Sequence, residues 1–387
     1  MRFLRTTSTT RLLALVLAVI AGCAATAAIA IAATSGGGSK PPPKPLADAV
    51  HQALAAPTVD GVSARIAFTN HLVDSSVIPG ATPLLTGATG RLWASPDGRL
   101  RIELQSDRGD AQIVKNGNRF LVYDGSSDTA YEGELPGASP PHSGGAPPSL
   151  ADVEKSIAQV RQHAGLSGAI PTTVAGQSAY ELRVTPRRGG LVSQLRAAWD
   201  AVRGVPLKLA LYARGNGSPV LALTVTKISY GPVAASTFAI TPPAGAKVVD
   251  LTTGTKSPAD SPRRGAAVTG LRAVQKALPF TLAAPARLAG KSRGRVALIG
   301  HRGSAAVVTY GQGLDGLAVI EQKADGQSRT GPGGRGGGIP TVSINGATGQ
   351  ELPTVLGTVV RFSRGGVEYT VLGSQPSGVV LAAARAL

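Results

Sequence analysis

A chain of 387 residues, 43% hydrophobic and 16% charged, is globular rather than disordered and long enough for two domains behind a targeting segment. Aromatic residues make up only 4%, and 50 Gly with 28 Pro predict many short strands joined by turns. Formal charge is +17, spread as +3 over residues 1–34, +5 over 35–248 and +9 over 249–387, which reads as a solubilising surface rather than a nucleic-acid footprint, and the lone Cys23 excludes an intrachain disulfide or a cysteine-based metal site.

Arg2, Arg5 and Arg11 precede a charge-free run of 22 residues, Leu12 to Ala33. Secretory apolar cores span about 7–15 residues and a bilayer needs about 20, so the favoured reading is an uncleaved anchor in the cytoplasmic membrane. Positive residues before the run place the amino terminus inside and the remainder outside. Two alternatives stand beside it. Ile20-Ala21-Gly22-Cys23 resembles a bacterial lipobox, with Cys23 as the lipidated residue, and Ala32-Ala33-Thr34 offers an ordinary cleavage site. All three put the bulk of the chain outside the membrane. Residues 35–46 then form a Gly/Pro spacer.

Leu46 to Ala55 carries apolar residues at helical spacing, and Val62 to Leu72 alternates as a long strand. From Gly90 to Tyr131 four strands follow in a meander: Arg91–Ala94, Leu100–Gln105, Ala111–Lys115 and Phe120–Tyr123. Asp97-Gly98, Asn116-Gly117 and Asp124-Gly125 supply hairpin-turn residues. Leu100, Ile102 and Leu104 alternate with Arg99, Arg101 and Glu103, which predicts one oily and one wet face. Pro136 to Pro148 is a loop, and Ser149 caps a helix running to His163. Further strands are predicted at Ala179–Thr185, Leu207–Ala213, Leu221–Ser229 and Thr237–Thr241, with a helix over Leu191–Val202. Residues 251–266 mark a boundary. A smaller α+β unit, 267–387, follows, with a short helix at Leu271–Leu278, strands near Arg295–His301, Ala305–Tyr310, Leu317–Gln322, Val359–Ser363 and Val367–Leu372, a Gly331–Gly338 loop and a closing helix.

Leu92-Trp93 before Pro96, Ile113 to Gly117 and Phe120 to Asp124 resemble the core of LolA-type lipoprotein carriers. Trp199-Asp200, Gly204 to Leu207, and Phe238 before Pro242 to Val248 resemble that family's later half, a fold shared with the RseB and MucB regulators. Over residues 47–250 the resemblance implies a mainly β, α+β architecture: an incomplete antiparallel barrel of eleven strands with helices in its mouth and a cavity for acyl chains. Ser95 stands where the carriers have Arg, so their lipid-locking arrangement is not carried over. The second unit is weakly similar to extracytoplasmic domains of anti-sigma and sporulation-type proteins.

A one-sided sheet must cover its apolar face, and few amphipathic helices are available for about ten strands. The expected cavity lining is Trp93, Leu100, Ile102, Leu104, Ile113, Phe120, Val122, Leu209, Leu211, Leu221, Leu223 and Val225. Each buried methylene contributes about 0.8 kcal/mol, so aliphatic walls suffice to hold an acyl chain. Catalysis is not expected. His51, His71, His142, His163 and His301 are scattered, Asp107, Asp110, Asp124 and Asp128 sit at turns, and neither a phosphate loop nor a Gly-x-Ser-x-Gly elbow is present. No cofactor is expected. Two functions compete: a carrier of lipid or lipoprotein acyl chains, and an envelope sensor or regulator that contacts a membrane-protein partner through its second unit.

Overall fold

The computed structural model describes residues 38–73, 82–135, 147–187, 189–251, 268–299, 305–324 and 339–387. Cys23, the Leu12–Ala33 run, residues 136–146 of the predicted loop, His142, His301, the 252–266 segment and Gly331–Gly338 lie outside them.

The first sheet is built from β1 (Val62–Asn70), β2 (Ala88–Ala94), β3 (Leu100–Ser106), β4 (Gly109–Asn116), β5 (Arg119–Asp124), β6 (Thr129–Glu134), β7 (Ala164–Leu166), β8 (Ile170–Val174), β9 (Gln177–Pro186), β10 (Val192–Asp200), β11 (Pro206–Ala213), β12 (Leu221–Tyr230) and β13 (Lys247–Asp250). Its thirteen strands run in the order β13-β6-β5-β4-β3-β2-β1-β12-β11-β10-β9-β7, with β8 also on β9. All neighbours are antiparallel except β13, which lies parallel to β6. The sheet curls into a half-barrel, so the chain is mainly β with few helices. Helices α1 (Leu46–Ala55), α2 (Pro83–Thr86) and α3 (Leu150–His163) accompany it. Ser149 caps α3: its Oγ accepts from the Asp152 N–H at 3.2 Å, while Asp152 accepts from the Ser149 N–H.

The second sheet contains β14 (Arg287–Leu288), β15 (Lys291–Ile299), β16 (Ala305–Tyr310), β17 (Leu317–Lys323), β18 (Thr341–Ile344), β19 (Ala347–Thr354), β20 (Gly357–Arg364) and β21 (Val367–Gly373) in the order β14-β15-β16-β17-β21-β20-β19-β18. Its core joins Val308, Val319, Val360 and Val371 to Val274 of helix α4 (Leu271–Ala277) and to Val380, Ala383 and Ala384 of helix α5 (Ser377–Arg385).

Several expectations are corrected. Leu191–Val202 is not a helix; Val192–Asp200 is strand β10, hydrogen-bonded between β9 and β11. Leu195, Ala197 and Trp199 alternate with Arg196 and Ala198, and pairing on both sides outweighs the helical spacing also present in the segment. Thr237–Thr241 is not a strand either. A 3-10 turn spans Ala235–Phe238, because this stretch crosses the outer face of β3 and β4 with no strand edge to pair with. Among the described residues the sheet has thirteen strands rather than eleven; short β7 and β8 lie at one margin and the parallel β13 at the other. The spacer is anchored from Gly38 onward: the Gly38 N–H donates to Gly176 O at 3.1 Å, Ser178 Oγ to Ser39 O at 2.5 Å and the Tyr180 hydroxyl to Pro42 O at 2.7 Å.

The meander's second face is not wholly wet. Val114, Leu121 and Ala130 are buried under Ile240 and Ala246 of the returning chain, and Phe238 has no exposed surface. Arg101 donates to Thr237 O at 3.1 Å and Asn116 Nδ2 to Phe238 O at 3.2 Å, which satisfies carbonyls of this strap.

Candidate functional site

The concave face of the first sheet forms a continuous apolar surface. Cross-strand register aligns Phe68 with Leu223, Leu223 with Leu209, Leu209 with Ala197, and Ala197 with Leu182. A second row runs from Asn70 through Leu221, Leu211 and Leu195 to Val184. Strand alternation therefore puts these side chains on one face.

The expected lining residues divide into three groups. Leu100, Ile102, Leu104, Ile113, Val122, Leu221 and Val225 belong to the buried cluster of the concave face, with Ile102 only 1% exposed. Here the sheet is packed shut by its own side chains, by Val62, Ile66 and Phe68 of β1, and by Leu84 of α2. Phe120, Leu211 and Leu223 are half-buried against the same cluster, and Leu209 is half-buried on the same face by alternation. Trp93 is the exception. Leu92 and Ala94 pack on the concave cluster, so Trp93 between them projects from the opposite, convex face, where it pairs in register with Ser63 and Arg101.

The half-buried part of the trough lies over β9 to β12, where Leu182, Val184, Leu195, Ala197, Leu209, Leu211 and Leu223 meet. Leu182 and Trp199 also pack beside Leu46 and Ala49 of α1 and Ile157 of α3. Trp199 lies 6.2 Å from Tyr180, centroid to centroid, and its indole N–H is buried without a hydrogen-bond partner among the described residues. It is thus the tryptophan of the concave face. Sequence reasoning named Leu209, Leu211 and Leu223 here but missed Leu182, Val184, Leu195, Ala197 and Trp199, because β10 was expected to be helical; the alternation Leu195, Ala197, Trp199 is the signal that would have found them.

The turn after β10 fixes this wall. Asp200 accepts from the N–H groups of Val202 and Arg203, both at 2.8 Å, and from the Tyr230 hydroxyl at 2.7 Å. Burial, with that carboxylate as a neighbour, raises the Tyr230 pKa. Gly204, at φ +65°, completes the turn; a Cβ there would lie 2.3 Å from Ala53 O of α1. The residues Trp199-Asp200 and Gly204-Val205-Pro206 thus have structural roles.

The second unit reaches the opposite end of the trough. The Val355 N–H donates to Leu72 O at 3.1 Å, and Leu356 packs against the concave cluster. Thr354 Oγ1 accepts from the Leu356 and Gly357 N–H groups at 3.3 and 3.0 Å, so the turn is ordered by its own bonds. A second contact joins Ser374 to the start of β10: its carbonyl accepts from the Leu191 N–H at 2.9 Å, and its Oγ accepts from Leu191 and Val192 at 3.0 and 3.3 Å. Asn70 links these features to α2, donating to Leu84 O at 2.7 Å and accepting from the Leu72 N–H at 3.0 Å.

Chemically, the arrangement offers aliphatic contact. Among the described residues no group of three His, Cys, Asp or Glu side chains could hold a metal ion. Among them, too, no helix is long and apolar enough to cross a membrane; the Leu12–Ala33 run lies outside that set.

No family model and no curated protein sequence matches the chain. Among solved structures it is similar to MucB in complex with MucA(peri), at 19% identity over 88% of this chain and 94% of that one, with a TM-score of 0.41. The Pseudomonas aeruginosa MucA/MucB complex gives 17% identity over the same shares of each chain and a TM-score of 0.41. An uncharacterized conserved protein from Thermus thermophilus gives 12% identity over 53% of this chain and 96% of that one, with a TM-score of 0.33.

Proposed function

We propose that this chain is an extracytoplasmic, membrane-associated sensor or regulator, not an enzyme, in which the half-barrel receives an apolar ligand and the second unit contacts a membrane-protein partner. The observation that carries it is the docked turn: Leu356 of the second unit packs on the concave cluster, whose half-buried margin, Leu211 and Leu223, borders the part of the trough open to a ligand. Occupancy of the trough and placement of the second unit are thereby coupled through one contact surface. Extracytoplasmic placement and a membrane-protein partner come from the address segment and the sequence resemblance.

A specific observation favours a second reading, binding or carriage of acyl chains of lipids or lipoproteins. Leu182, Leu195, Leu209, Leu211 and Leu223 are half-buried rather than packed shut, and an apolar chain laid over them would complete their burial at about 0.8 kcal/mol per methylene.

Crosslinking of the full chain in its native membrane, followed by mass spectrometry of proteins and extracted lipids, separates the two. The regulator reading expects one membrane protein crosslinked mainly to residues 268–387. Stoichiometric lipid with no crosslinked protein would replace it with the carrier reading. For acyl chains, Trp199 is the reporter: in Trp93→Phe protein, fatty acid should shift the remaining emission.

A further inference from the structure

The convex face carries a row of like charges that folding alone disfavours. Register places Lys227 opposite Arg65 and Arg65 opposite Arg91, on the adjacent strands β12, β1 and β2. All three side chains are exposed, and among the described residues none forms an ion pair. Side chains so placed have Cβ atoms about 5 Å apart, and like charges directly opposite destabilise a sheet. Glu103 continues the row on β3, but Arg101 engages its carboxylate at 2.7 Å. Trp93, half-buried, lies on the same face one row away, beside Arg101.

The position of this row matters as much as its charge. Gly38, where the anchored part of the spacer begins, is bonded to Gly176 at the β8–β9 turn. That end of the sheet also holds Asp200 and Tyr230, joined at 2.7 Å, and the start of β1. The cationic row therefore lies near the end at which the chain emerges, and the second unit docks at the other. Only residues 34–37 separate Gly38 from the apolar run ending at Ala33, a reach of at most roughly 18 Å.

The geometry points to a docking face for anionic lipid headgroups, formed by Lys227, Arg65 and Arg91 with Trp93 at its margin, that lays the half-barrel's convex side against the bilayer. Cations there exchange mutual repulsion for attraction to headgroup phosphates, and an indole beside them suits the interfacial zone. The inference rests on the membrane-associated placement proposed above, not on its ligand or partner.

The test uses the full chain with vesicles of phosphatidylcholine alone or with about one third phosphatidylglycerol, each carrying a headgroup spin label. Quenching of Trp93, taken as the difference from the Trp93→Phe protein, is expected only with phosphatidylglycerol and is expected to fall steeply towards about 0.5 M salt. The Arg65→Ser/Arg91→Ser/Lys227→Ser variant should require about a hundredfold more anionic lipid, roughly fivefold per charge. Its melting temperature should equal or exceed that of wild type. Equal quenching in both vesicle types, or in the triple variant, would overturn the proposal. So would a row that binds soluble nucleic acid or polyglutamate but not vesicles. Failure to find a protein partner, by contrast, would leave the vesicle result standing.

Discussion

Glu321 has no exposed surface, and one of its carboxyl oxygens has no hydrogen-bond partner among the described residues. The other accepts from the Ala283 N–H at 2.8 Å. Burial pushes its pKa up from 4.5 to about 7, and the Ala283 bond only partly opposes this. Tyr369 of β21 is its direct partner in register, and Tyr310 on β16 is itself pushed up to about 12, chiefly by burial. The folded protein thus holds this proton more tightly than the unfolded chain does. Its stabilising contribution is complete below about pH 4.5 and is lost as pH rises through about 7, an effect on the order of 3 kcal/mol. Glu321→Gln should flatten thermal stability between about pH 5 and 8 and exceed wild type at the alkaline end. Parallel pH profiles for the two proteins would assign the slope to other groups.

At the scale of elements, the strap across β3 and β4 makes the meander two-sided. Phe238 is its anchor, fully buried, with the Arg99 guanidinium 5.0 Å from its ring centroid. Phe238→Ala should cost about 3–5 kcal/mol in denaturant unfolding, the range for truncating a packed aromatic residue. A loss below about 1 kcal/mol would mean that the strap merely rests on the sheet. Close approach also constrains β2 and β3: at Gly90 a Cβ would lie 1.9 Å from Glu103 O, so no side chain fits between those strands.

For the whole molecule, the polarity of the first sheet is the organising feature. One end holds the anchored spacer and the Asp200–Tyr230 bond; the other receives Leu356 and Ser374. The contact between units includes the Val355–Leu72 and Leu191–Ser374 hydrogen bonds and the approach of Gly189 and Gly190 to Asp315 and Leu314, with Leu356 as its anchor on the concave cluster. Leu356→Asp in the full chain should accelerate amide exchange at Val355 and leave Val308, Val319 and Val371 protected, because their core lies within the second sheet. Unchanged exchange at Val355 would show that Ser374 and Leu191 hold the units together without it.

The local patterns were legible from the sequence by itself. Alternation in Leu100 to Leu104 placed the concave face correctly, and Ser149 marked the start of α3, because period and capping chemistry are properties of neighbouring residues. The doublets Ile113-Val114 and Leu121-Val122 also carried a sign that both faces of β4 and β5 are covered. Tertiary structure alone decided the rest. Trp93 turned outward because strand parity, once Leu92 and Ala94 meet the core, leaves it no other face. Leu191–Val202 became a strand because β9 and β11 offered hydrogen bonds on both sides, and Leu356 entered the first unit's cluster from a residue nearly 300 positions beyond Val62. Each outcome depends on partners distant in sequence, and no local period encodes which partner arrives.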